Sequence, residues 1–110
     1  MNLRALQVQL KLWQEHNFPG REAWQPLLSI SEEVGELYHA YLKRNRRTQL
    51  RIRLEENHSA KIRDAVADII VFLADFCNAE GIDLQEALEQ TWTEVKQRDW
   101  QARREREETT

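Results

Sequence analysis

The sequence contains little glycine or proline, with 3 and 2 of its 110 residues respectively. These residue types build the tight turns of β-rich proteins and dominate collagen-like and low-complexity chains. Their scarcity argues against those classes and favours long helices. Charged residues make up 32% and hydrophobic residues 41% of the chain, which is the balance of a mostly helical domain with a modest core.

The chain also has a single cysteine, Cys77, no long apolar run and little excess charge. One cysteine cannot form an internal disulfide bond. The N-terminus lacks the charged start and apolar core of a signal peptide, and the apolar runs are much shorter than a membrane span. A net charge of −3 does not indicate nucleic-acid binding. We therefore expect a cytoplasmic protein that binds neither membranes nor nucleic acid.

What the sequence does contain is helical periodicity. Apolar residues recur at spacings of three and four, and no segment alternates as a strand does. Gly81 is suited to end one helix, and Asp83 to cap the next. The predicted helices cover residues 3–16, 24–46, 60–79 and a segment from residue 84 onward. We expect an all-α four-helix bundle in a single domain, residues 1–105, with a charged tail at 106–110.

The third predicted helix carries acids inside an apolar segment. Residues 65–77, AVADIIVFLADFC, are apolar except for Asp68 and Asp75. At about 100° per residue, both aspartates and Asp64 fall within about 40° of one another. A helix that is apolar nearly all round is normally buried nearly all round, which indicates a dimer with this helix near its centre. Its aspartates then need cations or a wet cleft; the alternative is an acidic stripe that faces solvent.

The segment SEEVGEL, residues 31–37, crowds Glu32, Glu33 and Glu36 onto less than two turns of the second helix. Like charges at such spacing repel one another. If this helix packs antiparallel to the third helix, its glutamates face Asp64 and Asp68 across a cleft. Hard cations such as Mg²⁺ take oxygen ligands of this kind, usually together with substrate phosphates. The pattern predicts a metal site, and the alternative is a solvated glutamate face.

Together, SEEVGEL and the later segment DAVADIIVFLADFCNAEGIDLQEAL resemble the MazG-like nucleotide pyrophosphohydrolases of the all-α NTP pyrophosphatase superfamily. The family pattern is Glu-Glu-x-x-Glu on one helix and Glu-x-x-Asp on the next long one. The resemblance, over roughly residues 20–100, implies a MazG-like bundle assembled as an intertwined dimer or tetramer. It also implies Mg²⁺, with Mn²⁺ as a substitute, and hydrolysis of nucleoside triphosphates to monophosphates and pyrophosphate.

Carried over residue by residue, the first motif matches fully and the second only in part. The glutamate of Glu-x-x-Asp falls on Ala65, which cannot bind metal, and the adjacent aspartate is the obvious substitute. The predicted metal ligands are then Glu33, Glu36, Asp64 and Asp68. Glu32 is the predicted general base, with binding of a second metal as its alternative role.

Predicted substrate contacts lie on other helices. Lys96 and Arg98 loosely match the family's basic residues near the triphosphate, although Trp92 stands where an asparagine is expected. Trp13 with Asn17 is a candidate pair for contacting the base, against the alternative that the tryptophan packs in a core or dimer interface.

Three hypotheses follow for the function. The first is a pyrophosphohydrolase that removes non-standard or surplus nucleotides. The second, within the same superfamily, is a phosphoribosyl-ATP pyrophosphohydrolase or an enzyme for another nucleotide-like substrate. The third, which Ala65 favours, is a catalytically degenerate helical dimer that binds nucleotide or a protein partner.

Overall fold

In this computed structural model, the structure describes residues 1–45 and 51–109, and the side chains of 1–45 and 57–108. Within these ranges it is entirely helical and has no strand, which confirms the all-α prediction. None of the helices in this part of the chain is long and apolar enough to cross a membrane. The helices are α1 (Leu3–Asn17), α2 (Trp24–Asn45), α3 (Arg51–Glu80), α4 (Leu84–Val95) and α5 (Trp100–Thr109).

Helices α2 and α3 form an antiparallel hairpin, which is the most extensive packing in the described structure. Small side chains allow the two helices to approach closely, because Ala40 on α2 and Ala65 on α3 are both buried. Helix α1 packs against the later part of α3, where Leu10, Ala74 and Cys77 are buried. Helix α3 therefore packs against both α2 and α1, and its contact with α1 involves its later turns.

The junction between α3 and α4 has the caps that the sequence predicts. Gly81 has a φ of +69°, and Ile82 N–H donates to the Cys77 carbonyl at 2.8 Å, which is a Schellman-type helix end. Asp83 Oδ1 accepts from Glu86 N–H at 3.1 Å and so caps the start of α4. A short, ordered turn thus places α4 beside α1.

Gln7 joins α1 to this junction through its side chain. Its Nε2 donates to Asn78 Oδ1 at 3.1 Å and to the Ile82 carbonyl at 2.8 Å, and its Oε1 accepts from Leu84 N–H at 2.9 Å. Asn78 Nδ2 in turn donates to the Gln7 carbonyl at 2.9 Å. Gln7 is buried, so these bonds satisfy polar groups that water does not reach.

Two predicted helix boundaries are wrong. Helix α3 begins at Arg51 rather than near residue 60, because residues 51–59 contain no glycine or proline and several strong helix formers. The segment predicted as one helix from residue 84 onward forms two helices, because α4 ends at Val95 and α5 occupies Trp100–Thr109. Asp99 Oδ1 caps α5 by accepting from Ala102 N–H at 2.8 Å, and Arg103 forms an ion pair with Glu107.

The chain is extended. Its radius of gyration is 19.0 Å, whereas a compact domain of this length has about 13 Å. Many large apolar side chains are exposed, including Trp24, Tyr38 and Trp92 at 58%, 63% and 57%. An isolated chain of this shape leaves much of its apolar surface in water.

Candidate active site

A cavity of about 410 Å³ lies between α2 and the middle of α3. The antiparallel packing sets its layout, because the earlier residues of α2 in the lining face the later residues of α3. Its lining comprises Glu33, Glu36, His39, Ala40, Lys43, His58, Lys61, Asp64, Ala65 and Asp68. All four predicted metal ligands are therefore in one cavity, although they come from two segments of the sequence.

The four carboxylates gather at one end of this cavity. Glu33 on α2 is partly buried, and burial is the main reason that its pKa is raised above 4.5. The neighbouring carboxylates of Glu36 and Asp68 raise this pKa further, since each disfavours a second negative charge. The acids of the two helices thus act on one another electrostatically.

The donor atoms of this cluster fit a hard cation, because all are carboxylate oxygens. Among the described side chains, no three acidic, histidine or cysteine groups are yet close enough to hold a metal ion. Binding would therefore require rotation of the long glutamate side chains toward Asp68. Ala65 is buried at the cavity wall and supplies no ligand, whereas the adjacent Asp64 lines the cavity.

The opposite end of the cavity is lined by basic side chains. Lys43 and His39 belong to α2, and Lys61 and His58 belong to α3. His58 is only 4% exposed, and its buried Nδ1 has no hydrogen-bond partner among the described residues. Lys43 begins a segment of the sequence, residues 43–53, that has six basic residues and no acidic one; residues 46–50 and the side chains of 51–53 lie outside the described part of the chain.

Glu32, the predicted general base, is exposed and does not line the cavity, although its charge contributes to the raised pKa of Glu33. Lys96 and Arg98 lie just after α4, exposed, and are also absent from the cavity lining. In a single chain they are not brought together with the carboxylates. Their predicted roles remain predictions.

Trp13 and Asn17 contact each other at the end of α1, but away from this cavity. Asn17 Nδ2 donates to the Trp13 carbonyl at 2.8 Å, and the Trp13 ring packs against Phe18 with centroids 5.7 Å apart. Trp13 is 53% exposed. The pair therefore helps to end α1, and base contact remains a prediction for it.

Asp75 has a different environment from the other two aspartates of its stripe. It is buried, and Arg21 Nε lies 2.8 Å from its Oδ2. Gln14 Nε2 donates to the same oxygen at 3.3 Å, and Gln14 Oε1 accepts from Arg21 at 3.2 Å. Burial raises the pKa of Asp75, and the Arg21 charge opposes that increase. The predicted need for a cation is met by arginine, so this aspartate stabilises the packing of α1 on α3.

Sequence reasoning missed His58, Lys61 and Arg21. His58 lies just before the predicted third helix and Lys61 at its start, yet both continue the spacing of Ala65 and Asp68 at three- and four-residue intervals. That spacing indicates that the helix extends back to His58. No local pattern identifies Arg21, because it is 54 residues away from Asp75 in the sequence.

Comparison with models of protein families, with curated proteins and with solved structures finds no match for this chain. The resemblance to MazG-like enzymes therefore rests on the motif residues alone.

Proposed function

We propose that this protein is a Mg²⁺-dependent nucleoside triphosphate pyrophosphohydrolase, which converts an NTP or dNTP and water to a monophosphate and pyrophosphate. The observation that carries this proposal is the convergence of Glu33, Glu36, Asp64 and Asp68 on one cavity between α2 and α3. Four carboxylates facing each other are unfavourable without a cation. A bound Mg²⁺ would offset the repulsion between these carboxylates, and Mn²⁺ is the expected substitute.

The proposed reaction is a displacement at the α-phosphorus. Glu33, Glu36 and Asp68 would hold the cation, with Asp64 in place of the glutamate that Ala65 lacks. When bound, Mg²⁺ neutralises phosphate oxygens and helps to orient the attacking water. Glu32 is the proposed general base, and its side chain would have to turn toward the cavity to receive the proton of that water.

A homodimer or homotetramer belongs to this proposal. The cavity of one chain contains no residue from α1 or α4, so Lys96 and Arg98 would reach it only from a neighbouring subunit. The large radius of gyration and the exposed apolar side chains support such an assembly. The proposed location is the cytoplasm, and the proposed role is removal of non-standard nucleotides.

The experiment measures pyrophosphate and monophosphate from canonical and modified nucleoside triphosphates, with Mg²⁺, with Mn²⁺ and with neither. We expect both products only with metal. Asp68→Asn should reduce kcat/KM at least 100-fold, about 2.7 kcal/mol of transition-state stabilisation. Asp99→Asn serves as a matched control outside the cavity and should retain activity. Phosphoribosyl-ATP is added to the panel, since the same site would serve that substrate.

The second candidate is a degenerate helical dimer that binds nucleotide or protein without hydrolysing it. Buried Ala65 favours it, since it stands where the family pattern has a metal-binding glutamate. Ala65→Glu would then create substantial activity in an inactive protein. Conversely, loss of wild-type activity in Asp64→Asn would show that Asp64 replaces the missing ligand and would exclude the degenerate alternative.

A further inference from the structure

The cavity between α2 and α3 has two ends of opposite charge. The carboxylates line one end, and Lys43, His58 and Lys61 line the other. With a rise of about 1.5 Å per residue, Lys61 lies about 4.5 Å and His58 about 9 Å along α3 from Asp64. A ligand that spans the cavity would therefore meet carboxylates first and basic groups one to two helical turns further on.

His58 is the observation that points to a ligand at the basic end. It is 96% buried, from a relative exposure of 4%, and it lines the cavity. Its Nδ1 has no hydrogen-bond partner among the described residues. Buried polar atoms in proteins are nearly always paired, and the His58 residue lines the cavity, so a turn of its ring toward an anion there would give Nδ1 the partner that it lacks. The adjacent lysines make an anion the suitable ligand.

We propose that His58, Lys61 and Lys43 bind the two phosphoryl groups that leave as pyrophosphate. This inference rests on the proposed function. In that reaction the water oxygen bonds to the α-phosphorus, and the bond from that phosphorus to the α,β-bridging oxygen breaks. The bridging oxygen keeps the electron pair and departs with pyrophosphate, while a carboxylate takes the water's proton. Basic groups at the far end stabilise the charge that accumulates on the leaving group.

The test is calorimetric titration of the full chain with inorganic pyrophosphate in the presence of Mg²⁺. We expect His58→Leu and Lys61→Ala each to weaken pyrophosphate binding about tenfold, as loss of a hydrogen bond to a charged group does. His58→Gln should retain more affinity than His58→Leu, because its amide still donates. Lys11→Ala and His16→Gln, on α1, are the matched controls and should bind as wild type does. Lys61→Ala, an exposed substitution, tests the site even where a change at His58 alters folding.

The outcomes separate this inference from the proposed function. Dependence of pyrophosphate binding on His58 and Lys61 supports the anion site, even in a protein that hydrolyses no nucleotide; in that case only the proposed reaction fails. Wild-type pyrophosphate affinity in folded His58→Leu and Lys61→Ala would overturn the anion site while leaving a measured hydrolysis intact. Absence of pyrophosphate binding by the wild type would also overturn it.

Discussion

Glu33 is the residue at which the proposed cation binding would be coupled to the stability of the protein. Burial and the charges of Glu36 and Asp68 raise its pKa, so its ionised form is disfavoured in the folded chain. For an acid with a raised pKa, the folded state binds the proton more tightly than the unfolded state does. The contribution of Glu33 to stability is therefore fully present at low pH and is lost as the pH rises from about 4.5 through the folded-state pKa.

Replacing Glu33 with Gln should remove this repulsion. We expect Glu33→Gln to stabilise the metal-free protein at pH 7 by about 0.5 kcal/mol, allowing for solvent screening of a partly exposed group. The fall in stability above pH 4.5 should become shallower. Saturating Mg²⁺ should raise the melting temperature of the wild type more than that of the variant, because the variant lacks a ligand. Thermal unfolding across pH, with and without Mg²⁺, measures all three effects.

Glu105→Gln on α5 is the control for loss of a negative charge, and it should change neither the pH profile nor the response to Mg²⁺. A Glu33→Gln protein that is less stable than wild type without metal, yet equally stabilised by Mg²⁺, would contradict this account of the carboxylate cluster.

For Asp75, the sequence predicts the need for a positively charged partner but not which residue provides it. The sequence predicts that an acid in an apolar helix needs a cation, and Arg21 at 2.8 Å fulfils that need. The identity of the partner depends on how α1 and the turn after it pack against α3. That information is tertiary, so helical spacing cannot supply it.

At the scale of the elements, the sequence predicts that α3 is a helix with an acidic stripe, but it does not predict which helices pack against that stripe. Its apolar period correctly predicts a helix and one acidic stripe. At 30 residues, α3 is about 45 Å long, so a single stripe meets two different helices. Asp64 and Asp68 face α2 at the cavity, while Asp75 contacts α1. The pattern specifies a shared face but not which partner covers each part of it.

The predicted start of α3, near residue 60, is the error that most affects the predicted site. Residues 51–59 are polar, and hydrophobic periodicity alone does not distinguish a polar helix from a connection. Placing the boundary near residue 60 removed His58 from the helix and left Lys61 at its edge. The acidic half of the cavity was therefore predictable from motifs, whereas the basic half required the true helix length.

The junction of α1 with α3 and α4 depends on Gln7, and this dependence can be tested. We expect Gln7→Leu, which has a similar size, to lower the free energy of unfolding by about 2–3 kcal/mol. The reason is that the Leu84 N–H and the Ile82 carbonyl lose their bonds to this side chain. Urea unfolding monitored by circular dichroism gives the difference.

Gln9→Leu on the exposed side of α1 makes the same chemical change without breaking a bond at this junction, and it should alter stability by less than about 0.5 kcal/mol. Equal effects of the two substitutions would mean that the Gln7 hydrogen bonds contribute little to the junction.

At the scale of the whole molecule, the large surface area of one chain supports the proposed assembly of several chains. The accessible surface is 9052 Å², whereas a compact monomer of 13.2 kDa has about 6,400 Å². The excess of about 2,600 Å² per chain, or about 5,200 Å² for two chains, corresponds to the upper part of the range for obligate homodimer interfaces. Part of the exposed apolar surface is a stripe on α4, formed by Leu88, Trp92 and Val95.

We expect sedimentation equilibrium of the wild type to give at least twice the chain mass of 13.2 kDa. Trp92→Glu should shift this equilibrium toward the monomer, because a charge buried in an apolar interface without a partner is strongly unfavourable. Thr91→Glu, on the same helix and also exposed, is the control and should assemble as the wild type does. A wild type that sediments as a stable monomer would contradict the assembly. The proposed contribution of Lys96 and Arg98 to a neighbouring subunit's cavity would fail with it, while the acidic and basic ends within each chain would be unaffected.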